Sequence, residues 1–135
     1  MRKTFWLWPL VVVLLLTACA GIAKRQRLDR FDDMERLYRR ALLDGDFAGA
    51  RRLLDPQVAA EPLDPEKTKL LKIVDYKPTH VDVTEDMNTI VQQVALKYFM
   101  LDTNRLHTVD YQQTWHYDEV HKVWLLQTDL PRLIP

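Results

Sequence analysis

The sequence of 135 residues is poor in several residues on which small extracellular domains often depend. It contains one cysteine and three glycines, and its 19 basic and 19 acidic side chains balance to no net charge. A single cysteine excludes a disulfide within the chain, so burial of apolar side chains must hold the fold together. The balanced charge argues against the basic surface of nucleic-acid-binding proteins, and we expect no nucleic-acid partner.

A long hydrophobic run is also missing. The apolar stretch from Phe5 to Leu16 contains Pro9, and it is shorter than the roughly 20 residues of a helix that spans a bilayer. Arg2 and Lys3 precede it, and small residues follow it. A basic start, an apolar centre and a small-residue end are typical of a secretory signal. This layout disfavours the alternative of a permanent membrane span.

At the end of the apolar stretch, Leu16-Thr17-Ala18-Cys19 resembles the lipobox of bacterial lipoproteins. The resemblance implies that residues 1–18 are a signal peptide that is removed, and that Cys19 is acylated on its thiol and on its new amino group. Several acyl chains at one site give lasting attachment, because stable anchoring takes about two signals. Ala20 stands where related inner-membrane lipoproteins often have aspartate. We expect a lipid anchor in the bacterial cell envelope, in the outer membrane facing the periplasm.

The rest of the chain has the length of one domain. Removing 18 of the 135 residues leaves 117, and it removes two of the 19 basic side chains and no acidic one, so the net charge becomes −2. We predict a lipidated tether over residues 19–30 and a domain over residues 31–135. Four basic residues lie in the tether: Lys24, Arg25, Arg27 and Arg30. They fit either a solvated linker that continues into a helix or attraction to anionic headgroups, at about 1 kcal/mol per residue.

Helical periodicity begins at the predicted start of the domain. Apolar residues recur at three- and four-residue steps, which places them on one side of a helix: Phe31, Met34, Leu37, Tyr38, Ala41 and Leu42. Asp32, Asp33 and Glu35 are interpreted as acidic residues near its amino terminus. Gly45 predicts the helix end. Asp46 is a candidate cap for a second short helix, and Asp64-Pro65 is the start of a third.

Runs rich in valine, threonine and aromatic residues follow, and they predict strands near 72–84, 89–101, 106–117 and 122–128. On the third strand, one set of alternate residues is predicted to face the helices: Val109, Tyr111, Gln113, Trp115 and Tyr117. A buried Gln113 would need hydrogen-bond partners. The predicted fold class is α+β, with amino-terminal helices on the concave face of a curved antiparallel sheet of about four strands.

Three segments, Leu37-Tyr38, Gly45-Asp46-Phe47 and Trp115-His116-Tyr117, resemble the opening helices and closing hairpin of NTF2-like (cystatin-like or SnoaL-like) domains. The resemblance implies a cone in which the helices lie on the concave side of the sheet. It also implies pairing of two copies through the outer sheet face, which makes a homodimer or an envelope protein the expected partner. The chain has Val120-His121 where the closing hairpin of such domains usually has glycine.

Some NTF2-like domains are isomerases or dehydratases, which use an aspartate or histidine base with tyrosine donors inside the cone. The residues of suitable type here are Asp110, His107, His116, Tyr98 and Tyr111. Asp110 and His116 fall on the predicted outer face, so we assign no catalytic residue. The aromatic residues are predicted to fill the core or, alternatively, to line a pocket: Tyr98, Tyr111, Trp115 and Trp124. The four histidines match no zinc spacing, and we expect neither a metal nor a cofactor.

Two hypotheses for function follow. In the first, the protein is a non-catalytic, lipid-anchored envelope lipoprotein that binds a protein partner, another copy of itself or a small apolar ligand. In the second, it is a small membrane-tethered isomerase or dehydratase. An enclosed pocket with a buried aspartate or histidine would favour the enzyme. A cone filled by Phe31, Leu37, Trp115 and Trp124 would favour the binding module.

Replacing Cys19 by serine tests the anchor. We expect Cys19→Ser to abolish lipid attachment and to leave the precursor uncut, because serine has no thiol to acylate. Incorporation of labelled palmitate and the intact mass report both results, and Ala20→Ser is the matched control that should be processed normally. Normal cleavage and lipid labelling of Cys19→Ser would refute the predicted location.

Overall fold

The computed structural model describes residues 7–133. Residues 1–6 of the predicted signal peptide, the last two residues, and the side chains of residues 7–18 and Ala20 lie outside the described part. The helices are α1 (Leu7–Leu43), α2 (Phe47–Arg51) and α3 (Pro65–Thr68). The strands are β1 (Leu71–Val83), β2 (Thr89–Met100), β3 (Arg105–Asp118) and β4 (Val123–Leu126). The predicted strand positions are therefore confirmed to within two residues at nearly every end.

The four strands form one antiparallel sheet in the order β1-β2-β3-β4, and the helices precede it in the chain, which confirms the predicted α+β class. Two register shifts interrupt β1, between Ile73 and Asp75 and between Pro78 and His80. Bulges of this kind bend a strand and increase its twist, so they curve the sheet. Pro78 is tolerated because β1 is an edge strand.

One face of α1 covers the concave side of the sheet. Phe31 packs edge-on against Trp115 and Trp124, with ring centroids 5.8 and 5.5 Å apart. Tyr38 packs edge-on against Trp115 at 5.7 Å. The side chains of Trp115 and Trp124 are fully buried. Edge-on aromatic pairs add about 0.5–1.5 kcal/mol to the burial of their surface, so this contact is the centre of the core.

The prediction that Leu37 belongs to the core is wrong, because Leu37 is 53% exposed. The buried residues Phe31, Tyr38 and Leu42 follow one narrow stripe along α1. Leu37 lies six residues after Phe31, which turns it by about 120° away from the stripe. The three- and four-residue spacing had grouped it with a broader apolar face.

The first helix is also longer than predicted. It begins at Leu7, and the predicted tether over residues 19–30 is part of it. The interpretation of Asp32, Asp33 and Glu35 as residues of the helix start is therefore wrong. Charges affect a helix through its dipole only within the first or last turn, and these three residues lie far inside α1.

The predicted stop at Gly45 and the two predicted helix caps are confirmed, whereas α2 ends at Arg51, earlier than the apolar pattern through Leu54 suggested. Gly45 adopts a left-handed φ of 75° after the end of α1. Asp46 caps α2 by accepting a hydrogen bond of 2.8 Å from the backbone N–H of Gly49. Asp64 caps α3 through a bond of 3.0 Å from the backbone N–H of Glu66. These caps satisfy backbone groups that a helix end leaves unpaired.

The last turn forms without the glycine found in similar hairpins. Lys122 takes the left-handed conformation there, with φ of 55°. The Asp118 carboxylate accepts hydrogen bonds from the backbone N–H groups of Val120 at 2.9 Å and His121 at 3.1 Å. Hydrogen bonds that an aspartate accepts from the backbone N–H groups that follow it stabilise a turn, and here they compensate for the unfavourable φ of Lys122.

The carboxy-terminal segment folds back onto the domain. Leu133 is buried and Leu130 is partly buried against the core. Asp129 accepts a hydrogen bond of 2.8 Å from the backbone N–H of Glu61. In residues 7–133, no helix has an apolar segment long enough to cross a membrane.

Truncating Trp115 tests whether the aromatic contact stabilises the fold. We expect Trp115→Ala to lower the free energy of unfolding by about 3–5 kcal/mol, because it leaves a cavity under Phe31 and Tyr38. Chemical denaturation of the domain without its first 19 residues measures this, with the exposed Leu106→Ala on the same strand as the control. A loss for Trp115→Ala as small as that for the control would contradict the assignment to the core.

Candidate functional site

A cluster of polar side chains surrounds Gln113 on the face of the sheet that α1 covers, and Gln113 is fully buried. Its side-chain oxygen accepts hydrogen bonds from Gln92 Nε2 and Trp115 Nε1, both at 3.1 Å. Its amide nitrogen donates to the Tyr76 hydroxyl at 2.9 Å and to the Tyr111 hydroxyl. The expectation that Gln113 is buried and needs partners is confirmed, and its amide has partners on all sides. We call these five residues the Gln113 cluster.

Glu35 on α1 lies beside this cluster and is only 5% exposed. Its Oε2 forms an ion pair of 2.7 Å with Arg39 one turn later, whereas its Oε1 has no hydrogen-bond partner. Removing one partner of a buried ion pair leaves an expensive unpaired group, so we expect loss of the Arg39 side chain to destabilise the fold. The Arg39 guanidinium also lies 5.6 Å from the centre of the Tyr76 ring.

Glu35 was not predicted to be buried. Its position was informative, because Glu35 lies four residues after Phe31 and three before Tyr38. Residues at these spacings share one face of a helix, and Phe31 and Tyr38 are both buried. A charged residue in the middle of an apolar stripe is a signal for a buried polar site.

Burial changes the acidity of the tyrosines around Glu35. It raises the pKa of Tyr38 well above its usual value, and the neighbouring Tyr111 adds to this effect. Burial also raises the pKa of Tyr76. The pKa of Tyr111 is raised to about 12 by burial, although hydrogen bonds with Tyr38 and Gln113 oppose the increase. These phenols therefore remain protonated at neutral pH and can donate hydrogen bonds.

A buried carboxylate beside neutral phenols is an arrangement that can transfer a proton or orient a polar ligand. Aromatic side chains cover this site: the Tyr38 ring packs against Trp115 and, at 6.4 Å, against Tyr76. Three surface pockets of the described residues have other linings, and one of them is described below.

The structure separates the catalytic candidates considered from the sequence. Asp110 and His116 are exposed on the outer sheet face, as the predicted strand register requires. His107 is exposed and stacks on Tyr98 with ring centroids 5.1 Å apart, near the end of the β2–β3 hairpin. Tyr111 alone joins the polar cluster. The described residues include no group of three or more histidine, cysteine, aspartate or glutamate side chains placed to hold a metal.

The aromatic residues that were predicted to fill the core or to line a pocket differ in how deeply they are buried. Trp115 and Trp124 lie within the core, and Tyr98 and Tyr111 are partly buried against it. The Trp124 indole N–H donates to the backbone carbonyl of Arg27 at 2.8 Å.

A surface groove of about 340 Å³ lies at the far end of the domain, beyond the carboxy terminus of α1. Its apolar lining includes Phe47, Leu63, Leu71, Leu130 and Leu133. Its charged rim consists of Arg51, Glu61, Asp64, Lys67, Asp129 and Arg132. This volume is at the lower end of the range for small-molecule sites. We call it the distal groove, and it was not predicted because its walls come from three separate segments of the chain.

Comparisons with known proteins give a likeness of fold and no family. No family model matches the chain, and no curated protein matches it. Among solved structures, the chain is similar to a candidate dehydratase of the NTF2-like family from Streptomyces avermitilis. The two share 15% sequence identity with a TM-score of 0.47, over 82% of this chain and 99% of the other. This likeness concerns the backbone and assigns neither a site nor a reaction to the present chain.

Replacing the central glutamine by leucine tests the importance of the polar cluster. We expect Gln113→Leu to destabilise the fold, because each buried polar partner left without a hydrogen bond costs about 1–3 kcal/mol. The neighbouring Gln112 is exposed and bonds to Gln93 on the outer face, so Gln112→Leu is the matched control. Equal unfolding free energies for the two variants would show that the cluster contributes nothing to stability.

Proposed function

We propose that this protein is a lipid-anchored envelope lipoprotein, attached through Cys19, whose domain is a non-catalytic binding module. The lipobox resemblance supports the anchor, and Cys19 is exposed on α1, where modifying enzymes can reach it. The anchor belongs to the bacterial envelope, in the outer membrane on the periplasmic side.

The packing of the concave face supports a role without catalysis, and it is the observation that carries the proposal. Phe31, Trp115 and Trp124 fill the space in which an NTF2-like enzyme would hold its substrate. Leu37, the fourth residue expected there, is exposed, but Tyr38 occupies the corresponding place beside Trp115. A filled cone leaves binding to the outer surfaces of the domain.

The distal groove is the surface that best suits a partner. It combines an apolar floor with a rim of three basic and three acidic residues. Two rim pairs neutralise each other, Arg51 with Asp129 and Arg132 with Glu61. A floor that accepts apolar side chains and a rim with both charges favour an extended segment of another envelope protein over a small apolar ligand.

A second candidate function, a tethered isomerase or dehydratase, is favoured by one observation. Glu35 is buried beside protonated tyrosines and has one carboxylate oxygen without a partner. This is the kind of group such an enzyme needs, although it is a glutamate and not the aspartate or histidine that the sequence suggested. Catalysis at Glu35 would require the aromatic side chains around Tyr38 to separate.

Site-specific photo-crosslinking in the native host tests the proposal. A photoreactive residue at Lys67, on the rim of the distal groove, should give a discrete adduct with one envelope protein. Gln112 on the outer sheet face is the matched position, and it should give none. The Lys67 adduct should require Cys19, because the partner is expected in the same membrane compartment.

Other outcomes contradict specific parts of the proposal. A self-adduct at Gln112 alone would show that the domain forms a homodimer through the sheet face and that the distal groove is not the binding surface. If native mass spectrometry finds a small molecule retained by the protein and Lys67 gives no adduct, the binding partner is a small ligand and not a protein. If neither position gives an adduct and the protein retains no small molecule, the proposed binding role is refuted.

A further inference from the structure

Arg27 ties α1 to two turns at one end of the sheet. Its Nη1 donates to Asn88 Oδ1 at 2.5 Å, and its Nη2 lies 3.4 Å from Glu119 Oε1. Its guanidinium stacks 4.7 Å above the centre of the Tyr117 ring, and its carbonyl accepts the bond from Trp124. We call this set of contacts the Arg27 clamp. It helps to fix the angle and rotation of the helix relative to the sheet, together with Arg30, which donates to the Tyr117 hydroxyl at 3.2 Å and to the Lys122 carbonyl at 3.4 Å.

The helix continues without a break from the clamp back to Cys19. The eight residues from Cys19 to Arg27 cover about 12 Å at the rise of an α-helix. We call residues 19–26 the helical stalk. A helix this short bends little, so whatever holds Cys19 also controls the position of the clamped end.

We propose that the helical stalk and the Arg27 clamp orient the domain on the membrane, with the turns over residues 85–88 and 119–122 facing the phospholipid surface. The inference rests on the proposed lipid anchor at Cys19. It adds a second membrane contact and a direction for the binding groove.

The tip of the last turn suits contact with lipid. Val120 is 85% exposed, and it lies next to Glu119, which contacts the clamp. An apolar side chain at a turn tip gains free energy by entering the headgroup region, where the buried apolar area adds to electrostatic attraction.

The basic side chains nearest the anchor favour an anionic surface. Of the acidic side chains at this end, Asp118 bonds to His121 and to the turn backbone, and Glu119 pairs with Arg27, whereas Glu85 and Asp86 are exposed in the other turn. Exposed basic residues point to solvent on the stalk, namely Lys24 and Arg25, and Lys122 lies in the turn. Because the stalk is only about 12 Å long, these basic side chains lie about one Debye length (about 10 Å) from the membrane surface, so salt does not fully screen the lipid charge there.

The distal groove then faces away from the membrane. From Arg27 to Leu43, at the end of α1, the helix covers about 24 Å, and Phe47 of the groove follows directly after the turn at Gly45. The groove is therefore held toward the periplasmic space, where a protein partner can reach it.

Fluorescence quenching in vesicles tests this orientation. The full lipidated chain is reconstituted with phosphatidylethanolamine, phosphatidylglycerol and a headgroup-spin-labelled lipid. A fluorophore is attached at Val120→Cys or at Lys67→Cys, each the one free thiol because Cys19 carries lipid. We expect roughly two-fold or stronger quenching at position 120 than at position 67, since the two ends of α1 within the domain are about 24 Å apart.

Two further variants identify the cause. Arg27→Gln should reduce the difference between the two positions, whereas Arg36→Gln, at an exposed position of α1 beyond the clamp, should leave it unchanged. A flexible Gly-Ser insertion between Ile22 and Ala23 should also remove the difference. Equal quenching at both positions in protein whose mass shows the lipid would overturn the orientation and leave the proposed function standing, whereas protein without lipid would overturn both.

Discussion

The contact between one stripe of α1 and the concave side of the sheet holds this domain together. The chain has no disulfide, and the two shorter helices contribute few buried residues, so this contact must supply most of the apolar burial. Its centre is the edge-on packing of Phe31 and Tyr38 against Trp115. Removal of such large rings from water is the dominant favourable term in folding, and the other features of the protein are arranged around it.

The polar groups inside this contact explain why the core has one defined arrangement. Gln113 can be buried because neighbouring strands and its own strand supply partners for its amide. Glu35 can be buried because Arg39 lies one turn away on the same helix. The hydrogen bonds around Gln113 penalise any shift of register, since each shift would leave several buried donors and acceptors without partners. The same network brings a carboxyl group and three protonated phenols together beneath the aromatic contact of Tyr38 and Trp115.

The two ends of the domain are built from different kinds of contact. At one end, Arg27 gathers two turns around the start of the packed part of α1. At the other, the groove forms where α2, the segment before β1 and the carboxy-terminal tail meet. A single helix runs between them, so α1 would connect the proposed anchor at its amino-terminal side with the proposed partner at its far side.

The strands, their register and the helix caps were determined by the sequence itself, because they depend on local properties: alternation of side chains, left-handed freedom at Gly45, and capping by Asp46 and Asp64. Tertiary structure decided what depends on distant residues. Periodicity could not show that Leu37 is exposed while Glu35 is buried, since the width of the covered stripe is set by the sheet beneath it. The Arg27 clamp and the distal groove likewise arise from contacts between segments far apart in the chain, and only the folded arrangement brings them together.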